Sequence, residues 1–193
     1  IIARKNLVIW NLRGSLSRNL HGPIQSAIQV SVFDLRKAVE TDALNADLIE
    51  RIQKNISEAI YNLKATNRKS LGVQQVFDDV VETWRDHCNI AIHVSDETLE
   101  VLTQDSAAKS ASEEIVREFV SNALRHAEAK NVEIQITLTD KCLLISATND
   151  GFEFNEESSK GLGLGLLDSI AVSSSVARLG DKTLVSAEIP LLI

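Results

Sequence analysis

Apolar residues recur at steps of three and four through the first third of the chain, in two stretches. Steps of this size place side chains on one face of an α-helix, so each stretch predicts a helix with an apolar stripe. The stripes comprise Leu12, Leu16, Leu20, Ile24, Ile28, Val32, Leu35 and Val39 in the first stretch, and Ile49, Ile52, Ile56, Ala59 and Leu63 in the second. Polar residues separate them, and Asp47 is predicted to cap the second helix. The pattern therefore predicts a helical hairpin.

A single hairpin covers each of these apolar stripes only in part. Pairing with a second copy of the chain into a four-helix bundle would bury both stripes. We therefore expect a homodimer formed through residues 1–68.

The pattern changes from about residue 66 onward. The polar stretch 65–72 ends in Gly72 and is typical of a linker. Beyond it, apolar spacing predicts helices over 73–86 and 111–127 and strands over 90–94, 132–138, 142–147, 174–179 and 183–189, the last two joined at Gly180-Asp181. Helices and strands mix without regular alternation, which favours an α+β sandwich of one mixed sheet with helices on one face. We expect two domains, 1–68 and 69–193.

Composition limits the partners and the location of the protein. The chain has 20 Lys and Arg residues against 27 Asp and Glu, a net charge of −7, so we expect no nucleic-acid partner. Cys88 and Cys142 lack the spacing of a disulfide framework or a zinc site, and a reducing cytoplasm suits them. No apolar run is long enough to span a bilayer. We expect a cytoplasmic protein, or the cytoplasmic part of a sensor whose membrane anchor lies upstream of Ile1.

Candidate chemistry begins on the predicted helix over 111–127. Glu118, Asn122 and Arg125 fall at helical spacing on one face, with His126 beside them. A carboxylate, an amide oxygen and cationic groups suit a metal ion and phosphates, although a solvated helix face would have the same composition. Asn is poorly suited to a helix interior, so Asn122 requires another explanation.

Two glycine-containing segments follow that helix. In Asn149-Asp150-Gly151, the glycine would let the backbone approach a ligand closely. In the later segment GLGLGLL, Gly161, Gly163 and Gly165 would present backbone N–H groups to phosphate oxygens. Each segment alone is weak evidence for a ligand site. Asn-Asp-Gly is typical of a hairpin turn, and the later glycines have neither the context of a dinucleotide fingerprint nor a Walker A lysine.

The ordered combination of these three segments is more specific. It resembles the N, G1 and G2 boxes of the GHKL ATPases, the family that includes histidine kinases, DNA gyrase and MutL, over residues 72–193. The stretch REFVSNALRHAEAKNVEI is similar to the form found in histidine kinases of the NarX and DesK type. The resemblance implies a Bergerat-type ATP-binding sandwich in which Asn122 ligands Mg²⁺ and Glu118 aids it or polarises a nucleophile. It also implies that Arg125 and His126 lie near the phosphates, and that Gly161, Gly163 and Gly165 form the lid and phosphate cradle.

One position departs from the family pattern. The G1 box usually begins with Asp, which accepts a hydrogen bond from the adenine amino group, and here Asn149 stands in its place. An amide oxygen accepts the same bond if the side chain is oriented for it, without the strength that a charge adds. Asp150 is the neighbour expected to compensate. We expect weaker ATP binding.

The first predicted helix supplies a second resemblance. Residues 16–25, Leu-Ser-Arg-Asn-Leu-His-Gly-Pro-Ile-Gln, resemble the phospho-acceptor segment of the same kinases, which implies that His21 receives the γ-phosphoryl group of ATP. Gln25 lies one helical turn later, where it would orient a water for dephosphorylating a partner, unless it is a solvated side chain. The acidic residue that usually follows the histidine is absent, because Gly22 stands there.

These features predict a sensor histidine kinase core, an ATP:protein-L-histidine phosphotransferase. It would use ATP and Mg²⁺ and pass the phosphoryl group to an aspartate of a response-regulator receiver domain. One alternative is a degenerate, non-catalytic module that docks a regulator or phosphotransfer partner through the hairpin. Another is an anti-sigma kinase, which would transfer to a serine and would not need the hairpin histidine.

Overall fold

The computed structural model describes residues 6, 7, 9, 24, 26–66, 72–152 and 170–192. The chain divides into two compact units, one of Gly14–Leu71 and one of Gly72–Ile193 together with Ile1–Arg13. Six of the candidate functional positions lie outside the described residues: His21, Gly22, Gln25, Gly161, Gly163 and Gly165. The stripe residues Leu12, Leu16 and Leu20 also lie outside them.

The first unit is a helical hairpin in its described part. Helix α1 covers residues 26–40 and helix α2 covers Ala46–Thr66. The side-chain oxygen of Asn45 accepts a hydrogen bond from the backbone N–H of Leu48 at 2.9 Å. Asn45 is thus the capping residue and the prediction of Asp47 is wrong, because Asp47 already lies in the first helical turn.

Helix α1 uses one face to contact α2 and leaves another face open. Ala38 packs against Leu48 and Ile52, and the buried Asp34 pairs with Arg51 at 3.3 Å. The described large members of the predicted stripe on α1 are instead exposed: Ile28, Val32, Leu35 and Val39. The apolar stripe on α1 therefore does not form the contact between the two helices. The contact lies on another face of α1, where small residues such as Ala38 allow α2 to approach closely.

The second unit contains a mixed five-stranded sheet with the strand order β1-β2-β3-β5-β4. β1 pairs with β2 in parallel, and the other neighbours are antiparallel. The elements are α3 Val73–Trp84, β1 Asn89–Val94, α4 Asp96–Gln104, α5 Ser106–Ala127, β2 Asn131–Leu138, β3 Cys142–Asn149, β4 Ser173–Leu179 and β5 Lys182–Pro190. The predicted turn at Gly180 joins β4 to β5, and its φ of 64° suits glycine.

Alternating side chains divide the two faces of the sheet. Along β2, Val132, Ile134 and Ile136 are buried while the residues between them are exposed, and helix α5 packs against β2, β3 and β5. A mixed sheet with helices is thus confirmed, whereas the four-helix bundle stays a prediction. Within the described ranges, no helix combines the length and apolar character needed to cross a membrane.

Helix α5 begins five residues earlier than the apolar spacing predicted, at Ser106. Asp105 caps it by accepting hydrogen bonds from the backbone N–H groups of Ala107 and Ala108, at 3.1 and 2.9 Å. The other oxygen of the same carboxylate accepts from the N–H of Leu192 at 2.6 Å. The buried carboxylate of Asp105 therefore caps α5 and also holds the segment that follows β5 in place.

Candidate functional site

The polar side chains predicted on α5 do lie along one stripe of the helix. Glu118 and Asn122 are partly buried, whereas Arg125 and His126 are exposed near the end of the helix. Asn122 donates a hydrogen bond to the carboxylate of Glu118. Because only the amide nitrogen of Asn122 can donate, its amide oxygen is turned away from Glu118.

The carboxyl group of Glu118 holds its proton more readily than an ordinary glutamate. Burial raises its pKa most, and the negative charge of Glu114 adds to the rise. The hydrogen bond from Asn122 and the positive charge of Arg125 act in the opposite direction without cancelling it. The ionised form of a buried carboxylate is unfavourable, and a cation placed beside the carboxylate stabilises that form.

The turn after β3 is fixed to the last residue of α5. Gly151 lies so close to Ala127 that any side chain at position 151 would overlap the carbonyl oxygen of Ala127. The N–H of Phe152 donates to that same oxygen at 2.8 Å. Asn122 precedes Ala127 by five residues, about 7.5 Å along the helix axis. The fold thus brings the α5 stripe and the turn to the same end of the helix.

Two buried polar side chains stand side by side at this end of the sheet. Asn149 and Thr183 are opposite each other in the pairing of β3 with β5, and they are 7% and 2% exposed. Among the described strands, they are the two buried polar residues in a face that is otherwise apolar. A few buried polar side chains in an otherwise apolar face are typical of ligand-binding sites.

Arg178 ties this pair to the turn. Its Nη1 donates to the hydroxyl oxygen of Thr183 at 2.8 Å and to the carbonyl oxygen of Gly151 at 2.9 Å. Neither Thr183 nor Arg178 was predicted from the sequence. A polar residue at an inward position of β5, in line with Ala187 and Ile189, was the one pattern that could have revealed Thr183.

Asp150 holds the turn to the start of β2, and its expected compensation for Asn149 stays a prediction. Its carboxylate accepts from the backbone N–H groups of Lys130 and Asn131, at 2.8 and 2.9 Å, and from the side-chain amide of Asn131 at 2.7 Å. Burial tends to raise the pKa of Asp150, but these hydrogen bonds outweigh it and hold the pKa below its usual value. Asp150 thereby fixes the start of β2 to the end of β3.

Metal binding would depend on few protein groups. Among the residues that the structure describes, no three His, Cys, Asp or Glu side chains lie close enough together to hold an ion. A cation beside α5 would therefore rest on the amide oxygen of Asn122 and the carboxylate of Glu118, with water and ligand oxygens completing its shell. That is the donor set that Mg²⁺ usually takes in sites shared with phosphates.

Known proteins similar to this chain belong to the class that the motifs indicated, the sensor histidine kinases. The oxygen sensor histidine kinase NreB of Staphylococcus carnosus (strain TM300) is 27% identical to this chain over 202 residues, covering 94% of the chain and 57% of NreB. The resemblance to the sensor histidine kinases is thus confirmed. The chain spans little more than half the length of this curated relative, and no protein-family model matches the sequence.

Solved structures of histidine kinases are also similar to this chain. Acinetobacter baumannii histidine kinase AdeS has a TM-score of 0.47 and 13% identity, covering 90% of this chain and 98% of AdeS. The histidine kinase domain of the blue-light activated histidine kinase EL346 from Erythrobacter litoralis has a TM-score of 0.48 and 16% identity, covering 92% of this chain and 93% of that domain.

Proposed function

We propose that the chain is the catalytic core of a cytoplasmic sensor histidine kinase. Residues 69–193 would bind ATP with Mg²⁺, and His21 in the hairpin would receive the γ-phosphoryl group. The phosphoryl group would then pass to an aspartate of a response-regulator receiver domain. The likeness to NreB, a sensor histidine kinase by name, supports this assignment over the anti-sigma alternative.

The contact between α5 and the turn at Gly151 is the observation that carries the proposal. It joins the stripe of Glu118 and Asn122 to the buried pair of Asn149 and Thr183. A nucleotide needs both kinds of surface, because its phosphates require cations and its base requires a few placed hydrogen bonds in an apolar setting. The end of the α5 helix offers both.

The hydrogen bond between Asn122 and Glu118 prepares the metal ligands. Glu118 would fix the amide so that its oxygen stays available, and a cation beside Glu118 would favour the ionised form of its carboxylate. Bound Mg²⁺ would neutralise charge on the phosphate oxygens. Arg125, which is exposed beside the stripe, would supply positive charge to the phosphates, and the exposed His126 would supply a ring N–H donor.

His21 suits the role of phospho-acceptor by its chemistry. An imidazole with an ordinary pKa of about 6.5 is mostly neutral at physiological pH, so one ring nitrogen can attack phosphorus with its lone pair. The bond from phosphorus to the bridging oxygen of ADP breaks as the new N–P bond forms, and the other ring nitrogen then releases its proton. With Gly22 in place of the usual acid, that proton would go to solvent, so transfer would be slow.

The exposed stripe on α1 supports a homodimer. Ile28, Val32, Leu35 and Val39 recur at steps of four, three and four, and Val39 is 69% exposed. Apolar surface in this arrangement is what antiparallel or parallel helices bury when they pair. A second copy of the hairpin would cover it in a four-helix bundle.

Incubation with γ-labelled ATP and Mg²⁺, followed by an acid-lability test, examines the proposal. We expect label that is lost in acid, as phosphohistidine is, and no label in a His21→Ala variant. Acid-stable label would refute histidine phosphorylation and would favour transfer to a serine.

The second candidate is a module that binds a regulator through the hairpin without turnover. Gly22 and Asn149 favour it, since both replace acidic residues that the resemblance attaches to catalysis and to nucleotide binding. This module would bind a receiver domain equally well with and without nucleotide, and would leave no label at any time of incubation.

A further inference from the structure

We infer that Arg178 is a positioning residue of the proposed nucleotide site. It holds the turn at Gly151 and the hydroxyl group of Thr183 in one arrangement before a ligand arrives. The inference rests on the proposed nucleotide site and deepens it by naming a residue outside the sequence motifs that fixes the geometry of that site.

The guanidinium group of Arg178 connects three segments of the chain. Its Nη1 donates to the carbonyl oxygen of Gly151 at 2.9 Å and to the hydroxyl oxygen of Thr183 at 2.8 Å. Its Nε donates to the carbonyl oxygen of Gly180 at 3.2 Å, in the turn that joins β4 to β5. The guanidinium group is therefore held by its own hairpin while it contacts the turn after β3.

The turn after β3 is held from two sides. On the side of α5, the N–H of Phe152 donates to the carbonyl oxygen of Ala127 at 2.8 Å. On the side of the β4–β5 hairpin, Arg178 donates to the carbonyl oxygen of Gly151, the residue directly before Phe152. A site whose parts are in place before binding loses less affinity to the ordering of its own groups. Without Arg178, the turn would be fastened on the side of α5 alone.

Arg178 also fixes the direction of a buried hydroxyl group. Thr183 is the partner of Arg178 in the pairing of β4 with β5, and it is 2% exposed. Because the hydroxyl oxygen of Thr183 accepts a hydrogen bond from the guanidinium group, its own hydrogen points away from that group. The bond thus orients Thr183 as well as the turn.

The effect of Arg178 should appear in ligand binding more than in stability. Arg178 is itself exposed, and water can replace the lost partner of an exposed hydrogen-bonding group at small net cost. Lysine at this position would keep the positive charge. Its compact ammonium group cannot reproduce the planar fork through which arginine reaches several acceptors at once.

An Arg178→Lys variant of the full chain tests the inference. Calorimetric titration with ATP and Mg²⁺ should show an affinity about tenfold lower than that of the wild type, while the midpoint of urea unfolding changes little. Titration with adenosine should show a loss of the same size, because an effect that acts through the turn does not require phosphates. A loss that is confined to ATP and fades at high salt would show direct attraction to the phosphates, and would overturn the positioning role.

Arg85→Lys is the matched control, because Arg85 is another exposed arginine, which pairs with Glu82 at the end of α3. It should bind ATP and adenosine as the wild type does. If Arg178→Lys binds both ligands as tightly as Arg85→Lys, or if its stability falls in step with its affinity, the positioning role is wrong and the nucleotide site stands. If the wild type binds neither ligand, the proposed function fails and this inference fails with it.

Discussion

Gly151 is pressed against Ala127, the last residue of α5, so that there is no room for a Cβ atom between them. The N–H of the next residue, Phe152, donates to the carbonyl oxygen of Ala127 at 2.8 Å. This contact joins the turn that follows β3 to the helix that carries Glu118 and Asn122. The glycine is therefore required for packing between two parts of the site, in addition to any close approach by a ligand.

Gly151→Ala should destabilise the second unit by about 1–3 kcal/mol, because the added methyl group overlaps backbone and Ala127 cannot move without shifting α5. Urea unfolding followed by circular dichroism measures this. Gly72→Ala is the control, since a Cβ at Gly72 would meet no atom within 4 Å. Equal stability of the two variants would show that the turn adapts without cost.

Much of the sheet follows from local pattern, whereas one helix does not. The alternation along β2 and β3 is complete, so the amino-acid sequence alone indicates which of their side chains face inward. Helix α4 was missed because Thr98 and Leu102 are its only buried side chains in a largely polar sequence. Ser95 marks its start by accepting from the N–H of Thr98 at 3.2 Å, which is the kind of cap that a local motif can reveal.

The candidate site was predictable only where its residues are close in sequence. Glu118 and Asn122 share a helix face, and Asn149 and Gly151 share a turn, so spacing brings each pair together. Thr183 joins Asn149 through the register of β3 with β5, which no local pattern contains. The same limit explains the stripe on α1, since periodicity identifies an apolar face without telling which partner covers it.

Asn122→Ala should abolish the Mg²⁺ dependence of nucleotide binding, because it removes the amide oxygen from a cation that prefers hard oxygen ligands. Calorimetric titration with and without Mg²⁺ measures the difference. Ser110→Ala, which changes another polar residue of the same helix, should leave the Mg²⁺ dependence of nucleotide binding unchanged. Unchanged Mg²⁺ dependence in a folded Asn122→Ala variant would remove Asn122 from the proposed metal ligands.

Glu118→Gln should make the protein more stable at neutral pH and change little in acid. The folded-state pKa of Glu118 lies above its ordinary value of 4.5, so its ionised form is the unfavourable one. The stability that the protonated group provides is fully present below pH 4.5 and is lost as the pH rises through the raised pKa. Glutamine, which stays neutral, should keep that stability.

Thermal unfolding between acid and neutral pH measures the difference in Tm between the variant and the wild type. The difference should grow with pH. Glu100→Gln, which changes an exposed glutamate on α4, should give a difference that does not vary in this way. If the difference in Tm between Glu118→Gln and the wild type stays constant or shrinks as the pH rises, the ionised carboxylate of Glu118 does not destabilise the folded protein.

Asp105→Ala should lower the free energy of unfolding by about 2–4 kcal/mol, from the lost helix cap and the unpaired backbone groups that remain. The carboxylate accepts from Ala107, Ala108 and Leu192. Ser95→Ala removes a single capping bond from α4 and should cost about 1 kcal/mol. Similar costs for both in urea unfolding would mean that the bond to Leu192 contributes nothing.

The last prediction concerns the exposed stripe on α1. Val32 is 51% exposed and lies in the middle of it, so Val32→Asp should convert the proposed dimer to a monomer. Burying a valine contributes about 1.5–3 kcal/mol, and a symmetric interface counts it twice, so dimer affinity should fall at least about 100-fold. Gln53→Asp, at an exposed position on α2, should not change it. Analytical ultracentrifugation separates these cases, and a Val32→Asp protein that dimerises as tightly as Gln53→Asp would exclude the stripe as the dimer contact.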